Sequence, residues 1–156
     1  MKTALFIGRF QPFHLGHIDA LGQIEVDHII IGVGSSQYSG TEKNPYTFEQ
    51  REEMIITALN QAQGSYEIIP IPDIHDEQNW VDHVKKLVPS FDIVYTGNEY
   101  VARLFKEKEY NTRSIIKNKN ASGSFIREEM KKKTDDWKMQ VPEQIIPLLE
   151  SYSTNV

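Results

Sequence analysis

A chain of 156 residues with 17 basic and 22 acidic side chains carries a formal charge of −5, which argues against a protein that coats DNA or RNA. It holds no cysteine, so disulfides, zinc thiolates and cysteine nucleophiles are excluded. No run approaches the roughly 20 apolar residues that cross a membrane, and Arg9 cuts the apolar N-terminal stretch before a secretory segment can form. The expectation is a cytoplasmic protein of one domain (residues 1–156), bound to neither membrane nor nucleic acid. Such a chain buries roughly 70% of its unfolded surface in a real core.

Taken in order, Lys2–Gly8 reads as a buried strand, followed by a turn and an apolar-periodic helix from His14 to Ile24. His28–Val33 is almost continuously apolar, as a strand covered on both faces should be. Thr47 and Gln50 form a capping box that starts a helix running to Gln63. Tyr66–Ile71 is a third strand, ended by Pro70 and Pro72, and Asn79–Val88 a helix. Asp92–Thr96 is a strand, Glu99–Glu107 a helix, and Thr112–Ile116 a weaker strand. Gly123–Lys133 and Pro142–Tyr152 close the chain as helices. This alternation predicts an α/β fold: a Rossmann-like, doubly wound, mainly parallel sheet of five to six strands with C-terminal helices. Ligands of such sheets bind beyond the carboxyl ends of the strands. The polar, Gly/Ser-rich segment Gly34–Asn44 reads as a mobile surface loop at that edge.

Two sites suited to phosphate stand out. In Gly8-Arg9-Phe10-Gln11-Pro12-Phe13-His14-Leu15-Gly16-His17 the first strand gives way to a helix, placing His14 and His17 on one face of its first turn. A helix start offers free N–H groups and partial positive charge, two imidazoles add donors, and Gly16 leaves room for a ligand. Arg9 adds a forked cation. A metal site is disfavoured, because the motif itself holds no carboxylate or third histidine. The second site is Ser122-Gly123-Ser124-Phe125-Ile126-Arg127, another helix start with two hydroxyls and an arginine one turn on. Taken alone it reads equally well as a plain cap. Lys117, Lys119 and Lys131–Lys133 lie in the same basic stretch, the last three reading as a solvated helix face.

The His14-Leu15-Gly16-His17 tetrad resembles the HxGH motif of the nucleotidylyltransferase superfamily. The longer string from Gly8 to His17 is similar to archaeal-type nicotinamide mononucleotide (NMN) adenylyltransferases. Ser122 to Arg127 resembles the second superfamily signature, Ser-x-Thr-x-x-Arg, with Ser124 in the threonine position and Glu128 and Glu129 where further arginines often follow. Gly34–Thr47 looks like the family loop GSxQ…NPFT, with Lys43 standing where relatives carry arginine.

The resemblance implies transfer of the adenylyl group of ATP to NMN, forming NAD and pyrophosphate, with Mg²⁺ carried mainly by the ATP phosphates and not held by side chains. It assigns catalysis to His14, His17, Arg127 and Arg9. It implies ATP binding by Ile7, Gly8, Arg9, Phe10, His14, His17, Gly97, Asn98, Ser122, Ser124 and Arg127. Acceptor binding falls to Lys43, Ile74, Glu77 and Trp80: the indole stacks on the cationic nicotinamide ring, and the backbone near Ile74 meets the carboxamide. Glu77 replaces the usual asparagine and suits an amide better than a carboxylate. Without the resemblance, Trp80 reads as a core or boundary aromatic. The alternatives are a nucleotidyltransferase for nicotinic acid mononucleotide, phosphopantetheine or a flavin, or a non-catalytic module that senses ATP or NAD. The family tendency to assemble leaves a homo-oligomer open.

Overall fold

The computed structural model describes residues 1–60 and 64–153. Five strands, β1 (Thr3–Gly8), β2 (His28–Gly34), β3 (Ser65–Ile71), β4 (Ile93–Thr96) and β5 (Thr112–Ser114), pair in the order β3-β2-β1-β4-β5. Every pairing is parallel. Six α-helices connect and follow them: α1 (Leu15–Gly22), α2 (Phe48–Leu59), α3 (Glu77–Leu87), α4 (Glu99–Glu107), α5 (Gly123–Lys131) and α6 (Ile146–Ser153). The doubly wound α/β expectation holds, with five strands.

Side-chain alternation along the strands builds a core on each face of the sheet. Ala4, Phe6, Ile29, Ile31 and Val33 face one way, against Leu21 of α1, Met54 and Ile55 of α2, Ile126 of α5 and Leu149 of α6. Leu5, Ile30 and Val94 face the other way, against Val81 and Val84 of α3 and Leu104 and Phe105 of α4. The strand order reverses between β1 and β4, so a crevice opens beyond their carboxyl ends, at Gly8 and Thr96.

The differences from expectation have definite physical causes. Pro70 lies inside β3, opposite Val33, and does not end it. Because β3 is an edge strand, a missing N–H on its outer side breaks no ladder. β5 stops at Ser114 because the amide of Gln23 takes both backbone groups of Ile116, donating to its carbonyl at 2.7 Å and accepting its N–H at 2.9 Å. Helix α1 begins at Leu15 with His14 as its N-cap, and α3 begins at Glu77, two residues before the expected start. The last helix is preceded by two 3₁₀ turns, Asp136–Gln140 and Glu143–Ile145. The expected end of α2 at Gln63 falls outside the described residues. Among the described residues no helix is long and apolar enough to cross a membrane.

Candidate functional site

The two histidines build the start of α1 between them. His14 adopts an extended backbone, and its Nδ1 accepts the N–H of Gly16 at 3.0 Å. The Nδ1 of His17 accepts the N–H of His14, also at 3.0 Å. This is a capping box made of imidazoles. With Nδ1 an acceptor in both rings, the neutral tautomer carries its proton on Nε2. The rings stack with centroids 3.7 Å apart, and His17 also stacks on Phe13 and meets the ring of Phe10 edge-on. Burial, reinforced by the charge of Lys117, lowers the pKa of His14 to about 4. Burial, then the neighbouring His14, holds His17 well below the usual histidine value. At neutral pH the pair is therefore uncharged, each ring offering one N–H.

The glycines here are filled by protein. A Cβ on Gly16 would lie 2.8 Å from His14 Cε1, so the room there belongs to the histidine ring before any ligand. A Cβ on Gly8 would meet the Phe10 ring at 2.8 Å. Phe10 has a φ of 55°, a costly conformation for an aromatic residue, held by its packing among Phe6, Phe13 and His17. Its side chain is 1% exposed and packed in the core, so at this position only the backbone is open to a ligand.

Arg9 is exposed and makes no salt bridge among the described residues. Its backbone is held by a residue that the sequence did not flag. Arg51 of α2 is fully buried and donates to the carbonyls of Thr47, Arg9, Gly34, Ser35, Ser36 and Tyr38 at 2.9–3.4 Å. One guanidinium thus ties the turn after β1 to the loop after β2. Burial lowers its pKa to about 10, which still leaves it charged at neutral pH. In the sequence Arg51 is one more polar residue on an amphipathic helix; only its place four residues after the capping Thr47 gives a hint.

Ser122 caps α5, its Oγ accepting the N–H of Phe125 at 3.3 Å. Arg127 donates to the carbonyl of Gln11 at 2.8 Å and to Ser124 Oγ at 3.4 Å. The side chain of Gln11 in turn pairs with both backbone groups of Tyr46. The two motifs, 116 residues apart, are thereby joined. Burial and then the charge of Arg9 lower the pKa of Arg127, so two cations share one region, and among the described residues neither has an acidic partner.

A cleft of about 710 Å³ at the switch point is walled by Ile7, Gly8, Arg9, Glu77, Trp80 and Asn98, among others. A second, of about 720 Å³, lies beside Gly97, Asn98, Arg103 and Ile115. Trp80 is half-buried against Phe105, ring centroids 5.7 Å apart, and still faces the first cleft. Glu77 is not free: Arg103 Nη2 donates to it at 3.1 Å, and Arg103 lies 5.2 Å over the ring of Tyr100. Two expected acceptor residues stand apart. Ile74 is 36% exposed and outside the walls of the cleft, which Asp73 and His75 line in its place. Lys43 is exposed and also outside them. The loop that carries it is fastened by its neighbours instead, Glu42 to Lys131 at 2.6 Å and Tyr38 to His75 at 2.6 Å. Among the described residues no cluster of three or more His, Asp or Glu has metal-site spacing; a divalent ion here would take most of its ligands from phosphate oxygens.

Residues 5–150 match the family model described as cytidylyltransferase-like. The nicotinamide-nucleotide adenylyltransferase of Thermoplasma volcanium is 44% identical over 151 residues, spanning 94% of this chain and 84% of that one. The chain belongs to the cytidylyltransferase-like family, in the branch of the nicotinamide-nucleotide adenylyltransferases. The Pyrococcus furiosus protein of that name is 43% identical over 153 residues, covering 93% of this chain and 81% of its own. Among solved structures, a bifunctional NMN adenylyltransferase/ADP ribose pyrophosphatase from Francisella tularensis, complexed with AMP and a manganese ion, superposes with a TM-score of 0.71 at 29% identity. It covers 85% of this chain, which spans only 42% of that longer one. Thermotoga maritima TmcAL, bound with alpha-thio ATP, shares the family fold at TM-score 0.67 and 13% identity.

Proposed function

We propose that this chain transfers the adenylyl group of ATP to nicotinamide mononucleotide, releasing pyrophosphate and forming NAD. The observation that carries the reading is the meeting of both phosphate-type motifs at the switch point, in a chain 44% identical to a nicotinamide-nucleotide adenylyltransferase. An oxygen of the acceptor phosphate attacks the α-phosphorus of ATP. As that bond forms, the bond from the α-phosphorus to the bridging oxygen breaks, and its electron pair leaves on pyrophosphate. The acceptor phosphate is already ionised at neutral pH, so the step needs no general base.

Catalysis then rests on position and charge. His14 and His17 give the phosphates neutral Nε2–H donors in a fixed orientation, while Arg9 and Arg127 supply positive charge that no carboxylate among the described residues neutralises. Ile7, Gly8 and the backbone of Phe10 border the phosphates, Ser122 and Ser124 add hydroxyls, and Gly97 and Asn98 lie beside adenosine. Trp80 takes the nicotinamide ring, a cation that an indole face attracts by about 0.5–2 kcal/mol. Glu77 favours the amidated acceptor. Mg²⁺ enters as part of the ATP substrate. The setting is the cytoplasm.

Purified protein, ATP and Mg²⁺ are incubated with NMN, nicotinic acid mononucleotide, flavin mononucleotide or phosphopantetheine in turn, and products are identified by mass spectrometry. NAD and pyrophosphate from NMN are expected. Product from another acceptor and none from NMN overturns the reading.

A further inference from the structure

The segment between β5 and α5 runs along the ATP side of the site, and both of its shoulders are fixed. Ile115 donates its N–H to the carbonyl of Thr96 at 3.0 Å, beside the end of β4. Ile116 is held through both backbone groups by the side chain of Gln23, which ends the same α1 that His14 begins. Further on, Ala121 Cβ lies 3.8 Å from where a Cβ on Gly16 would be. The next side chain after the Gln23 clamp, Lys117, is brought back over the site. Its Cε is 4.0 Å from the Cβ position of Gly97, and its charge acts directly on His14.

This lysine has no counter-ion among the described residues. The chain has more acids than bases; Lys108, Lys131, Lys132 and Lys138 pair with Asp or Glu, whereas Lys117, like Lys43 and Lys119, stays outside these pairs. Lys117 makes no salt bridge or side-chain hydrogen bond among the described residues, and its charge opposes protonation of His14. An unpaired ammonium facing a neutral histidine and a bare glycine suits an anion that joins the nucleoside side to the phosphate side.

We propose that Lys117 is a further catalytic residue, contacting the α-phosphate of ATP between Gly97 and His14. The inference rests on the adenylyl-transfer reading. The α-phosphate is the group being transferred, and an ammonium against its non-bridging oxygens neutralises charge as pyrophosphate departs.

The test compares K117M, K117R and the neighbouring control K119M with the wild type. ATP affinity is measured by calorimetry, turnover by NAD formation, and the His14 imidazole by NMR titration. For K117M we expect kcat/KM for ATP to fall by roughly 30- to 300-fold and ATP affinity by roughly tenfold. KM for NMN should stay within about threefold, and K117R should recover to within about tenfold of wild type. K119M should match the wild type. His14 should titrate at a higher pH in K117M, by roughly half a unit. NAD formation by the wild type, with K117M unchanged in ATP affinity and turnover, overturns the inference. A wild type that makes no NAD overturns the adenylyl-transfer reading instead, and the ATP affinities of K117M and K119M still decide whether Lys117 touches the nucleotide.

Discussion

The Nδ1 atom of His17 accepts the backbone N–H of His14 at 3.0 Å, and the two rings stack 3.7 Å apart. This bond, with the one from Gly16 N–H to His14 Nδ1, fixes where α1 begins and which tautomer each ring adopts, while burial keeps the pair uncharged. Histidines in this arrangement serve as rigid N–H donors, with the cationic work left to arginine and lysine.

His17→Ala should therefore cost twice. Loss of a transition-state donor lowers kcat by about 10²–10³. Loss of the capping contact lowers stability by about 1 kcal/mol. Steady-state kinetics and urea denaturation separate the two, and a kcat loss below tenfold argues against a central role for this ring.

The pair also makes stability depend on pH. Both histidines bind protons more weakly when folded than at their ordinary value of 6.5, His14 down to about 4. Between those values the unfolded chain holds more protons, so stability is complete above pH 6.5 and is lost as pH falls toward 4. His14→Asn keeps a capping acceptor but removes one titrating ring. Denaturation midpoints from pH 7 to pH 4.5 should fall less steeply in that variant; a parallel slope contradicts the assignment.

Arg51 holds six carbonyls from the turn after β1, the loop after β2 and the start of α2. Arg51→Met leaves these acceptors buried and unpaired, at an expected cost of about 2–4 kcal/mol. Arg51→Lys, with three donors, should fall between. Urea denaturation reads both, and a loss for Arg51→Met below about 1 kcal/mol contradicts the clamp.

The contact from Arg103 to Glu77 blunts the negative charge of the carboxylate that the proposed function sets against the nicotinamide ring. Removing the cation with Arg103→Met should sharpen the preference for NMN over nicotinic acid mononucleotide by about 3- to 10-fold, and Glu77→Gln should weaken it. Relative kcat/KM for the two acceptors is the measurement. Unchanged ratios in both variants show that Glu77 does not face the ring.

Trp80→Ala should raise KM for NMN by about 2- to 30-fold, the range that a cation–π contact of 0.5–2 kcal/mol covers, with KM for ATP little changed. An unaltered KM for NMN assigns the indole to packing against Phe105 alone.

Much of this was legible in the residues. Strand alternation, the Thr47 capping box and the His14–His17 spacing are local signals, and each element they implied is present. What escaped depends on contacts distant in the chain. Nothing near Arg51 marks it as buried, because its partners belong to loops up to 42 residues away. The early end of β5 follows from Gln23, 93 residues earlier, and Pro70 is tolerated only because β3 is an edge strand. Phe10 stands in a motif associated with ATP, but a positive φ turns its ring into the core. Lys43, on the loop after β2, and Ile74, on the loop after β3, were assigned by resemblance, and only the fold shows that neither lines the cleft.

The most direct test follows the phosphorus. Protein, Mg²⁺ and NMN are mixed with ATP labelled on either the α- or the γ-phosphate, and the products are separated. Adenylyl transfer predicts α-label in NAD and γ-label in pyrophosphate, in equal amounts. Label released as free phosphate, or α-label left in AMP with no NAD formed, would contradict the account.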